Sequence, residues 1–88
     1  MTEFIGDEIE VRRSRESGLP ASFAWRGREY EVADVERRWR SFDFRKTWWR
    51  RRHRDHYVVE TTTCERLELY FHRGPGRKYW VLYRRLDR

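Results

Sequence analysis

From Glu8 onward the chain alternates between apolar and polar positions with a period of two, and no long segment carries helical spacing. Ile9 and Val11 alternate with Glu8, Glu10 and Arg12, which predicts a first strand over 8–13. Ser14 to Pro20 reads as a polar loop punctuated by Gly18 and Pro20. Phe23 and Trp25 alternate with Ser22 and Ala24; Arg26-Gly27 follows, and alternation resumes over 28–32. This is a hairpin signal, because glycine supplies the positive φ that tight hairpin turns require. Val35 and Trp39 either extend the second of these strands or belong to a short helical turn over 34–40, and Trp39 is placed in the core.

Residues 40–49 look irregular, and a strand resumes over 50–61, with Tyr57 and Val59 set against His56, Val58 and Glu60. Thr61 to Cys64 forms a turn. Leu67, Leu69 and Phe71 then share one face of a strand over 66–71, with Arg66, Glu68 and Tyr70 on the other. Residues 72–77 interrupt the pattern, and Lys78–Tyr83 is the last strand. Its two faces are both apolar, Tyr79, Val81 and Tyr83 on one and Trp80 and Leu82 on the other, as in a strand packed on both sides. The expected fold is all-β: a small antiparallel barrel of five or six strands, SH3-like or OB-like, in a single domain over 1–88.

Composition supports a folded chain. Of 88 residues, 41% are charged, a level that alone would suggest disorder, but 17% are aromatic, and disordered chains are poor in rings. A buried ring removes roughly 150–250 Å² from water, which makes a small core possible. One cysteine, Cys64, excludes an internal disulfide and fits a reducing cytoplasm. The acidic start of the chain matches neither a signal peptide nor a membrane span.

The net charge of +6 is local. Between Arg37 and Arg54 stand nine basic residues, Arg37, Arg38, Arg40, Arg45, Lys46, Arg50, Arg51, Arg52 and Arg54, against one acid, Asp43. That segment carries +8, so the remainder sums to −2. Trp39, Phe42, Phe44, Trp48 and Trp49 are threaded through it. Cations that track phosphates, interleaved with rings on which bases stack, make a nucleic-acid surface, with Trp48 or Trp49 as the stacking ring. Arg73, Arg77 and Lys78 flank Gly74-Pro-Gly76 and extend the same surface. Arginine and tryptophan are equally the residues of protein-interface hot spots, and arginines also shield tryptophans on plain solvated faces, so both readings stay open.

Catalytic chemistry has no foothold in the sequence. His53 and His56 lie among arginines that repel a cation, and no second ligand pair accompanies them, so neither metal nor cofactor is expected. The Gly-Pro-Gly loop lacks the Lys-Ser/Thr ending of a phosphate loop. The glutamates alternate on strands as a solvated face, and the chain is read as a non-enzyme.

Four stretches resemble a small bacterial domain family of unknown function: Phe4-Ile-Gly6, Arg12-Arg-Ser-Arg-Glu-Ser-Gly-Leu-Pro20, Phe23–Val32 and Gly76-Arg-Lys-Tyr-Trp-Val-Leu-Tyr-Arg84. Members of that family also occur at the C-terminal end of Y-family DNA polymerase-like proteins. The resemblance implies a role beside DNA repair or translesion synthesis, either on nucleic acid or as an adaptor docking on an acidic surface of such a polymerase. It assigns no catalytic residue. The family has glycine in its Thr-Thr-Thr-Gly-Glu turn where this chain has Cys64, which leaves open whether the turn keeps a positive φ here.

Overall fold

In the computed structural model, which describes residues 2–41, 53–74 and 76–86, six strands close into an antiparallel barrel. They are β1 (Glu3–Arg13), β2 (Pro20–Trp25), β3 (Arg28–Ser41), β4 (His53–Thr61), β5 (Arg66–Gly74) and β6 (Tyr79–Leu86). Each pairs with its chain neighbours, and β6 closes on β1. The order is that of an up-and-down barrel, with no crossover of the OB kind among the described strands. The helical turn entertained over 34–40 is strand, and β1 begins five residues before the alternation shows it.

Period-two alternation puts Ile9, Phe23, Trp25, Tyr30, Tyr57, Val59, Leu67, Leu69, Trp80 and Leu82 inside. Rings fill the lumen in pairs. Phe23 stacks on its cross-strand partner Tyr30 at 5.1 Å, and Trp80 meets Tyr57 at 5.5 Å and Phe71 at 5.0 Å. Such pairs add about 0.5–1.5 kcal/mol each beyond the area they bury. The indole N–H of Trp25 donates to Asp7 at 2.8 Å, so this inward ring leaves no orphaned donor.

One placement differs from expectation. Trp39 is on the outer wall, 36% exposed, and not in the core. The cause is a pair of register shifts, one between Val32 and Asp34 that brings Val35 inward and a second between Val35 and Arg37 that turns the strand back. Val35 pairs with Val59 and points inward, but Arg37 pairs with Val58 and Trp39 with His56, both outward positions. An extra residue in one strand moves every later side chain to the opposite face.

The connections divide between two ends. At one end Arg26-Gly27 forms a two-residue hairpin turn with φ of 51° and 75°, the pattern whose twist matches antiparallel strands. The 62–65 turn lies at this same end. At the other end lie the 14–19 loop, the 75–78 loop, and the two anchors, Ser41 and His53, of the β3–β4 connection.

Candidate nucleic-acid interface

The end bearing the longer connections collects basic side chains from four strands. On the inward faces there, β3 supplies Arg38 and Arg40, paired with Tyr57 and Asp55 of β4, and β5 supplies Arg73. Asp55 is the acid among them. Its carboxylate, 15% exposed, forms ion pairs with Arg73 Nε at 3.0 Å and Arg40 Nε at 3.5 Å. Arg13, at the end of β1, lies over Phe71 at 4.7 Å and Trp80 at 5.0 Å. This guanidinium sits where the aromatic core meets the mouth.

On the outer wall beside the mouth, Arg54 lies over Tyr70 at 4.6 Å and Arg37 over Trp39 at 5.4 Å. Trp39 stacks on His56 with the rings 3° from parallel and 5.0 Å apart. Behind His56 stands Glu68, whose side chain is 3% exposed: Arg84 donates to it at 2.8 Å, and His56 Nδ1 is 3.7 Å away. Burial pushes the His56 pKa down; the Glu68 charge opposes this and the Arg54 charge adds to it. His56 is therefore neutral at pH 7. A concavity of about 350 Å³ lies here, lined by Arg38, Trp39, Arg40, Asp55, His56 and Tyr57.

Of the basic residues singled out in the sequence, the fold brings Arg38, Arg40, Arg54 and Arg73 to the mouth and puts Arg77 and Lys78 in the adjoining 75–78 loop. Arg77 is held by Glu8 and stacks on Tyr79 at 4.9 Å, which makes it less available than its neighbour Lys78. Arg37 is set on the wall beside Trp39. Arg45, Lys46, Trp48, Trp49, Arg50, Arg51 and Arg52 lie outside the described residues. Arg13 and Asp55 were not anticipated as site residues. Their only sequence signal is strand parity, which puts Asp55 on the same face as Tyr57 and Val59.

Charge pairing is denser away from the mouth, with two exceptions: Arg28 at the hairpin lies over Tyr30 at 5.4 Å with no carboxylate of the described residues within ion-pair distance, and Arg77 at the mouth end is held by Glu8. Away from the mouth, Arg26 pairs with Asp7 at 3.3 Å, Arg66 with Glu36 at 2.7 Å, and Arg85 with Glu3 and Glu65 at 3.8 Å each. Near the mouth, Arg13, Arg37, Arg38 and Arg54 have no carboxylate of the described residues within ion-pair distance, and Arg40 and Arg73 share one. Among the described residues no group of three or more His, Cys, Asp or Glu is placed to hold a metal ion.

No curated protein and no solved structure matches the chain. A family model described as "Domain of unknown function (DUF6504)" matches residues 1–87. That match spans the whole barrel from β1 to β6, and the chain belongs to this family of domains of unknown function.

Proposed function

We propose that this barrel is a non-catalytic nucleic-acid-binding module whose basic mouth receives the phosphate backbone. The observation that carries the reading is the set of guanidiniums at the mouth without carboxylate partners among the described residues, where Arg26, Arg66, Arg84 and Arg85 elsewhere on the barrel are each paired. A guanidinium stacked on a ring is oriented but not neutralised, so it keeps its capacity for bidentate contact with phosphate. The segment 42–52 adds Arg45, Lys46, Arg50, Arg51 and Arg52 to the charge carried between the anchors. The resemblance to domains attached to Y-family polymerase-like proteins supports a bacterial, cytoplasmic setting in DNA repair or translesion synthesis.

Fluorescence anisotropy of labelled oligonucleotides at several salt concentrations tests this. Binding is expected to weaken steeply with salt, with a log–log slope of about −0.7 to −0.9 per phosphate engaged. Arg38→Ala/Arg54→Ala and Arg50→Ala/Arg51→Ala/Arg52→Ala are each expected to flatten that slope. Arg66→Ala, a paired arginine away from the mouth, leaves it unchanged. Absence of binding at low salt removes the reading. It would favour the second one, an adaptor on an acidic protein surface, which draws support from the exposed Trp39 beside Arg37, a hot-spot combination.

A further inference from the structure

Trp39 is one of two exposed large apolar side chains among the described residues, the other being Phe4 at 69%. The two are built differently. Phe4 touches Tyr83 edge-on at 5.2 Å near the start of the chain. Trp39 is fixed flat: its indole lies parallel to His56, and His56 is braced by Tyr70 at 5.7 Å and by the buried Glu68 that Arg84 grips. A ring held this way loses little conformational freedom when a second ring stacks on it. Its surroundings are cationic on both sides of β3. Arg37 lies over the indole, and Arg38 and Arg40 line the concavity of about 350 Å³ that Trp39 shares with His56 and Tyr57.

We infer that Trp39 is a base-stacking platform and that the ligand of the basic mouth is a single-stranded nucleic acid. This rests on the nucleic-acid reading above and deepens it. A duplex presents only base edges and phosphates, because both faces of each base are occupied by its neighbours. An unpaired base offers its π-face to the indole on the side away from His56, in place of the exposed Arg37 guanidinium, which turns to one flanking phosphate while Arg38 and Arg40 reach the other. An acidic peptide would satisfy the same arginines, but what it gains from the indole is apolar packing, which a leucine at the same position also supplies. Stacking on aromatic side chains is the general means by which proteins hold single strands without reading sequence.

The test compares three probes of equal length and label: an oligothymidylate, the same deoxyribose-phosphate chain without bases, and a duplex. Each is titrated against the wild type, Trp39→Leu and Trp39→Phe. Leucine keeps apolar bulk but has no π-face, and a thermal melt of each variant confirms that it is folded. The wild type is expected to bind oligothymidylate at least about fivefold more tightly than the abasic chain. Trp39→Leu is expected to erase that difference without changing affinity for the abasic chain or the duplex, and Trp39→Phe to retain most of it. If the wild type binds all three probes equally, or Trp39→Leu keeps the preference, the stacking inference falls and the phosphate reading stands. If only the duplex binds, the single-strand inference falls and the nucleic-acid reading stands; if none of the three probes binds at low salt, both fall together.

Discussion

At the end of the barrel closed by the 26–27 and 62–65 turns, arginine serves structure: Arg26, Arg66 and Arg85 each meet a carboxylate. At the opposite end Arg38 meets none among the described residues, Arg13 and Arg54 lie on rings, and Arg40 and Arg73 divide one carboxylate between them. Both ends are built from the same residue type on the same strands, so arginine content alone does not separate them. What separates them is where the acids are. Exposed pairs such as Arg66–Glu36 are screened by solvent, so the far end gains little stability from pairing. The consequence is mainly electrostatic, because neutralising one end leaves the other as the site of the positive field.

The pair that separates stability from charge most cleanly is Glu68–Arg84, midway along the outer wall. Glu68 is 2% exposed, and Arg84 holds it through two short contacts. Glu68→Gln is expected to cost about 2–3 kcal/mol in urea unfolding. This is below the usual loss for breaking a buried pair, because Arg84 keeps access to water. Under conditions where the variant is folded, the salt slope for oligonucleotide binding should stay as in the wild type. A changed slope would mean that the wall and the mouth are one electrostatic unit, and the comparison between the two ends would break.

Asp55→Asn asks the converse question. It removes the carboxylate shared by Arg40 and Arg73, so stability is expected to fall by about 1 kcal/mol while oligonucleotide binding tightens and its salt slope steepens by about one to two phosphates' worth. Weaker binding in this variant would show that Asp55 positions the two guanidiniums and that their release is of no benefit to phosphate contact.

The barrel itself was largely legible. Alternation marked Leu67, Leu69 and Phe71 as one face, and Arg26-Gly27 marked its hairpin, because strand period and turn chemistry are local properties. Trp39 was not legible. One extra residue between Val32 and Asp34 brings Val35 inward and a second between Val35 and Arg37 turns Trp39 outward again, and bulges leave no reliable mark in a sequence where Glu36, Arg37 and Arg38 are all polar. The mouth was half legible. The run from Arg37 to Arg54 shows as charge, but its union with Arg13 and Arg73 depends on β1 closing against β6, a pairing between opposite ends of the chain.

His56 links the wall to pH. Its folded pKa is lowered, so below its ordinary value near 6.5 the unfolded chain binds a proton that the folded chain resists. Stability from this group is therefore fully present above about pH 7 and declines as pH falls through the ordinary value toward the lowered one. His56→Gln should flatten that decline when urea midpoints are compared between pH 5 and 8. An unchanged profile would place the acid sensitivity elsewhere.

The smallest expected effect distinguishes the two ends by backbone strain. At the basic end the positive-φ positions 18, 74 and 76 are all glycine. At the far end Arg26 and Cys64 adopt φ of 51° and 65° with side chains present. A non-glycine residue in this region costs on the order of 1–2 kcal/mol, part of which glycine returns through the extra entropy of its unfolded chain. The Cys64 turn keeps its shape through backbone and hydroxyl contacts: Cys64 N–H donates to the Thr61 carbonyl at 3.0 Å, and Glu65 N–H donates to Thr61 Oγ1 at 3.2 Å. None of these uses the exposed thiol. Cys64→Gly is therefore expected to raise stability by about 0.5–1 kcal/mol. Arg26→Gly should gain less or lose, because Arg26 also stacks on Trp25 at 4.7 Å and pairs with Asp7. Equal gains at both positions in parallel thermal melts would show that the Arg26 contacts contribute nothing, and that far-end pairing matters only for the field it cancels.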